Sequence, residues 1–129
     1  MNERIVILDD EVENLEGLRQ LLRDEGYDVL MLSSPFELPF LLRSYKPDLI
    51  LVDLGMPALR GETLLKIIPR KIIPAQTSIL LFSGASAGEL EPLASALGVD
   101  GYISKGEDLN LLLERVSFFA RRKKKALQA

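Results

Sequence analysis

No cysteine occurs in the 129 residues. A disulfide framework and thiolate metal sites are excluded, and a reducing compartment is compatible. Histidine is absent as well. Its absence removes Ser-His-Asp and Cys-His catalysis and every His-ligated zinc site. Chemistry here must run on carboxylates, Lys, Arg, Ser, Thr and Tyr, and any phosphohistidine must belong to another protein. No run of about 18 apolar residues is present, so no membrane-spanning helix is expected. Met1-Asn2-Glu3-Arg4 leads straight into a strand-like run, without the longer apolar region of a signal peptide. The expected location is the cytoplasm, with no membrane partner.

Positive charge is scarce outside one place. The net charge is -3, but residues 121–125 (Arg-Arg-Lys-Lys-Lys) hold five of the 16 basic residues. The remainder sets 11 basic against 19 acidic residues, a balance of -8. The expected organisation is one domain over 1–120 and a basic tail over 121–129 that extends the last helix. Cations at a helix C-terminus offset its dipole. Five charges without interleaved aromatics do not make a nucleic-acid site, so no direct nucleic-acid binding is expected.

The hydrophobic fraction of 47% is enough for a core. Short apolar runs alternate with longer amphipathic ones. Strands are predicted at 4–8, 28–32, 48–54, 78–82 and 100–104. Helices are predicted over 12–25 with Leu15, Leu18 and Leu22 on one face, over about 35–44 with a first turn made irregular by Pro39, from about Gly61, over about 86–97, and from near Glu107. In the last helix Leu109, Leu112, Leu113, Val116 and Ala120 share a predicted core stripe. Leu111 and Phe118 fall on the far side, where two apolar residues suggest a partner surface. Five strands alternating with five helices imply an α/β fold, a doubly wound parallel sheet covered on both faces.

Ligands of such sheets bind at the carboxyl ends of the strands. There stand Asp9-Asp10-Glu11, Asp53, Ser83-Gly84 and Ser104-Lys105. Taken alone, Asp9 and Asp10 are equally explained as caps of the first helix, and Ser83-Gly84 as an ordinary turn. Asp53 is harder to dismiss, because a carboxylate after four apolar residues costs energy unless paired. Acids gathered on one rim repel, and such a cluster suggests a hard cation. Mg²⁺ takes oxygen ligands, commonly one or two carboxylates plus phosphate oxygens, and Asp10 and Asp53 fit. With it, one carboxylate can attack phosphorus to give an aspartyl phosphate. Lys105 and the Ser83 hydroxyl would then take phosphoryl oxygens.

Four segments in this order resemble the receiver domain of bacterial response regulators. They are Ile5-Val-Ile-Leu-Asp-Asp-Glu11, Leu49-Ile-Leu-Val-Asp-Leu-Gly-Met-Pro57, Leu80-Leu-Phe-Ser-Gly84 and Gly101-Tyr-Ile-Ser-Lys105. The resemblance implies a flavodoxin-like strand order, 2-1-3-4-5, which the sequence pattern does not disclose. It implies Asp53 as phosphoacceptor, and Mg²⁺ on Asp10, Asp53 and the Gly55 carbonyl, with Asp9 acting through water. It further implies phosphoryl binding by Ser83 and Lys105, and a switch of Ser83 with Tyr102. The implied donor is a sensor histidine kinase or histidine phosphotransfer protein. The implied output face is the fourth helix, fifth strand and fifth helix, open to a downstream effector or a second copy. Such a domain is a self-modifying phosphoacceptor, not an enzyme with turnover. Gly106 departs from the proline usual after the lysine; a trans Lys105–Gly106 bond is expected, and glycine can supply an unusual φ there at no steric cost. Two rivals remain: a non-phosphorylated pseudo-receiver, and a Mg²⁺-dependent phosphohydrolase, which would want an Asp-x-Asp pair that Asp53-Leu54-Gly55 does not supply.

Overall fold

The computed structural model describes residues 2–9, 15–54 and 68–128. Five strands form one parallel sheet: β1 (Arg4–Leu8), β2 (Asp28–Leu32), β3 (Leu49–Asp53), β4 (Ser78–Ser83) and β5 (Gly101–Ser104). Their order is β2-β1-β3-β4-β5, as the resemblance implies. Four α-helices lie among the described residues: α1 (Glu16–Asp24), α2 (Leu38–Ser44), α3 (Ala87–Leu97) and α4 (Leu109–Gln128). The helix expected from about Gly61 lies outside the described residues.

Strand alternation sends successive side chains to opposite faces. Ile5, Ile7, Leu49, Leu51, Leu80, Phe82 and Ile103 point one way and meet Leu22 of α1 and Leu112, Val116 and Ala120 of α4. Val6, Leu8, Ile50, Val52 and Ile79 point the other way and meet Leu38 and Leu42 of α2. β3 is buried at all five residues, as its central place demands. Glycines end two helices: Gly26 after α1 at φ +96° and Gly98 after α3 at φ +71°, a region costly for any residue with a Cβ. The irregular start of α2 is a 3₁₀ turn over Pro35–Glu37, with Pro39 inside the first helical turn.

The last helix starts at Leu109, near Glu107 as expected. One expectation about it needs correction: Leu109 is 51% exposed instead of core. Phe119 takes up that side at the other end, close against Gly101 and Leu80 of the sheet. The basic run lies within α4. Arg121 pairs with Glu3 at 3.3 Å, and Lys123 donates to the Thr77 carbonyl at 2.9 Å and pairs with Asp100 at 3.1 Å. Among the described residues no helix is long and apolar enough to cross a membrane.

Candidate functional site

The alternation that sorts the core also sorts the strand ends. Asp9 continues the Ile5-Ile7 face, Asp53 the Leu49-Leu51 face and Lys105 lies two residues beyond Ile103. All three continue one side of the sheet at its carboxyl edge. The contacts agree. Lys105 Nζ lies 3.3 Å from Asp9 Oδ2 and 3.4 Å from Asp53 Oδ1. The ammonium also sits 5.1 Å from the centroid of the Phe82 ring, a cation–π distance. Phe82 is the register partner of Asp53 on β4, so its ring floors the site.

Both acids are buried, Asp9 to 2% exposure and Asp53 to 8%. Burial of a carboxylate is tolerated when a cation and hydrogen bonds compensate it. Since one ammonium touches an oxygen of each, the two carboxylates front the same space. Asp9 is fixed by its backbone, whose N–H donates to the Leu32 carbonyl at 3.0 Å. Asp10 and Gly55, both expected metal ligands, lie outside the described residues. Among the described residues no group of three potential ligands is assembled.

Ser83 ends β4 on the opposite parity. Its Oγ accepts from the Ala85 N–H at 3.1 Å. Its carbonyl accepts from the Lys105 N–H at 2.7 Å, which ties the lysine to the end of β4. Tyr102 is half-buried. Arg115 of α4 donates to its carbonyl at 3.0 Å, and the guanidinium lies 5.2 Å from its ring centroid. Glu107 holds the same guanidinium at 3.4 Å.

Lys105–Gly106 is trans, since no cis bond occurs among the described residues. Gly106 does not use the freedom of a glycine: among the described residues the glycines with positive φ are Gly26 and Gly98. Glu107 N–H donates to the Ser104 carbonyl at 3.1 Å, and without a positive φ at Gly106 this four-residue turn fits type I, whose third residue has negative φ, and not type II, which needs a positive one. The sequence alone assigns no role at the site to Ser104, Ala85, Arg115 or Glu107. Ser104 had a legible signal, being the strand residue beside Lys105. The other three declare themselves only through contacts across the fold.

The response regulator receiver domain family matches residues 5–117. The cell cycle transcriptional regulator CtrA of Caulobacter vibrioides is 26% identical over 121 residues, 94% of this chain and 52% of CtrA. The DNA-binding response regulator MtrA of Mycobacterium tuberculosis is 27% identical over 122 residues, 95% of this chain and 52% of MtrA. This chain thus spans about half the length of these curated relatives. Among solved structures, a CheY-like response regulator receiver domain protein from Methanospirillum hungatei superposes with a TM-score of 0.81 at 26% identity, covering 98% of this chain and 99% of that one.

Proposed function

The chain belongs to the response regulator receiver family, and from that membership we propose that Asp53 is its phosphoryl acceptor. The observation that carries this reading is the single ammonium, Lys105, shared by two buried acids at the carboxyl edge of the central strands. The donor is a phosphohistidine on a sensor histidine kinase or a histidine phosphotransfer protein. An Asp53 carboxylate oxygen attacks phosphorus, the bond from phosphorus to the imidazole nitrogen breaks, and an aspartyl phosphate forms. Water later hydrolyses it, so the domain modifies itself and turns over no external substrate.

Each residue has work that suits its place. Lys105 moves from pairing the carboxylates to pairing a phosphoryl oxygen, and its cation offsets the added charge. Ser83 donates its hydroxyl proton to a second oxygen. The donor set fits Mg²⁺, because Asp9 and Asp53 present hard oxygen atoms to one space. Asp10, Asp53 and the Gly55 carbonyl would hold it, with Asp9 acting through water. When bound, the ion supplies positive charge that offsets the acids and draws phosphoryl oxygens.

Ser83 and Tyr102 form the switch, read by a downstream effector at the face of α3, β5 and α4. Exposed Leu111 (40%) and Phe118 (53%) supply the apolar part of that face, which also suits a second copy of the chain. We retain 1–120 as the receiver unit, with 121–129 as its basic extension. The rival reading is a pseudo-receiver that binds partners without phosphorylation.

Intact mass after incubation with acetyl phosphate and Mg²⁺ decides between them. Wild type is expected to gain one phosphoryl group and Asp53→Asn none. An unchanged gain in the variant would move the acceptor elsewhere, and no gain in wild type would favour the pseudo-receiver.

A further inference from the structure

Ser104 stands directly before Lys105 and is the register partner of Ser83 across β4 and β5. Its Oγ donates to the Ala85 carbonyl at 2.9 Å. The Ala85 N–H in turn donates to Ser83 Oγ at 3.1 Å. Ala85 is therefore held at both backbone polar groups: by a hydroxyl of β5 on one side, and by the proposed phosphoryl-binding hydroxyl on the other.

The Ser83 bond runs to its own second neighbour, a local turn that competes with any outside partner for the side chain. Alternation along β4 places Ser83 opposite in parity to Phe82, and Phe82 is the residue level with Asp53. A hydroxyl on that side reaches an oxygen carried by Asp53 only by leaving the turn or moving together with it. Gly84 does not oppose such movement, since even a Cβ there would meet nothing within 4 Å. The resistance sits at Ala85, and Ser104 supplies it.

We infer that Ser104 is a positioning residue whose hydrogen bond to Ala85 latches the loop in the arrangement that holds the Ser83 Oγ in its local turn, on the side away from Asp53. The bond opposes transfer of that hydroxyl to the phosphoryl group. This inference rests on the reading of Asp53 as acceptor. A bond made in one of two states biases the equilibrium by its own free energy. Loss of one such bond shifts the equilibrium roughly two- to tenfold.

The test is titration of the 129-residue protein with beryllofluoride in the presence of Mg²⁺, followed by the Ala85 amide resonance. Beryllofluoride stands in for the phosphoryl group on Asp53. Ser104→Ala is expected to bind it roughly two- to tenfold more tightly than wild type. With Mg²⁺ alone, the variant's Ala85 amide is expected to lie part-way toward its beryllofluoride-bound position. Ser104→Thr retains the hydroxyl and is expected to restore both readouts to wild type. A purely structural role would alter the urea midpoint without this rescue pattern or the Ala85 displacement. Unchanged or weaker binding in Ser104→Ala would overturn the latch while leaving the acceptor intact. If wild type itself takes up no beryllofluoride, the reading of Asp53 fails, and the latch falls with it.

Discussion

Lys105 does two jobs at one position. It pairs with both Asp9 and Asp53 in the resting fold, at 3.3 and 3.4 Å, and it is the proposed partner of a phosphoryl oxygen. Three acids on a rim suggest repulsion when read from the sequence, and the geometry shows where part of the compensation comes from. Removing the ammonium takes a countercharge from two buried groups. Its own side chain is 36% exposed, so solvent screening reduces the effect below that of a fully buried pair. Lys105→Met is expected to lower the metal-free unfolding free energy by about 1–2 kcal/mol. Mg²⁺ is expected to restore more stability to the variant than to wild type, since it brings positive charge to the same space. Urea melts with and without Mg²⁺ measure both effects; a variant as stable as wild type without metal would show that the shared pair contributes nothing. Asp53 and Lys105 were legible because each follows an apolar strand. That Asp9 meets Lys105 directly was not, because the contact joins residues 96 apart in sequence.

At the scale of elements, runs of alternating type identified the strands, and β3 stood out because a central strand is buried on both faces. The last helix was harder. A 3.6-residue period finds Leu112, Val116 and Ala120 as its buried side, but it cannot say where the sheet beneath begins, so it places the exposed Leu109 on the same stripe. The period is also silent about Arg121 and Lys123, which look like solvent charges until Glu3, Asp100 and the Thr77 carbonyl come beneath them. Lys123 thus bonds a backbone carbonyl of a fully buried residue, whereas Lys125 is exposed. Lys123→Ala is expected to cost about 0.5–1.5 kcal/mol, the net value of such a hydrogen bond with a half-exposed ion pair. Lys125→Ala is expected to stay within about 0.5 kcal/mol of wild type. Equal urea midpoints for the two variants would mean that the basic run is a solvated tail throughout.

Across the whole molecule the two edges of the sheet are built for different ends. Strand order, which no local pattern reveals, brings Asp9, Asp53 and Lys105 together at the carboxyl edge. The opposite edge is tied down by buried Asp48, which accepts from Arg4 N–H at 2.8 Å and from Gln76 at 3.2 Å. Asp100 does the same for β4, accepting from Ile79 N–H at 2.7 Å. Tyr45 lies at the Asp48 end. Arg4 donates to its carbonyl at 2.7 Å and lies 5.4 Å from its ring centroid. Burial pushes its phenol above the ordinary value, Asp28 and Asp48 push it further, and Arg4 opposes them. A pKa raised in the folded state means that the fold binds the proton more tightly than the unfolded chain. That contribution is fully present below the unfolded phenol pKa of about 10 and is lost as pH rises through the folded value. Tyr45→Phe removes the titration while keeping the ring. Relative to its own value at neutral pH, the variant is expected to lose less stability than wild type above about pH 10. Every other residue is the same in both proteins, so the difference between their curves isolates Tyr45. Urea unfolding at a series of alkaline pH values provides the comparison. Parallel curves would mean that the phenol titrates alike in the folded and unfolded chains, and that burial, Asp28 and Asp48 together do not outweigh the opposing arginine.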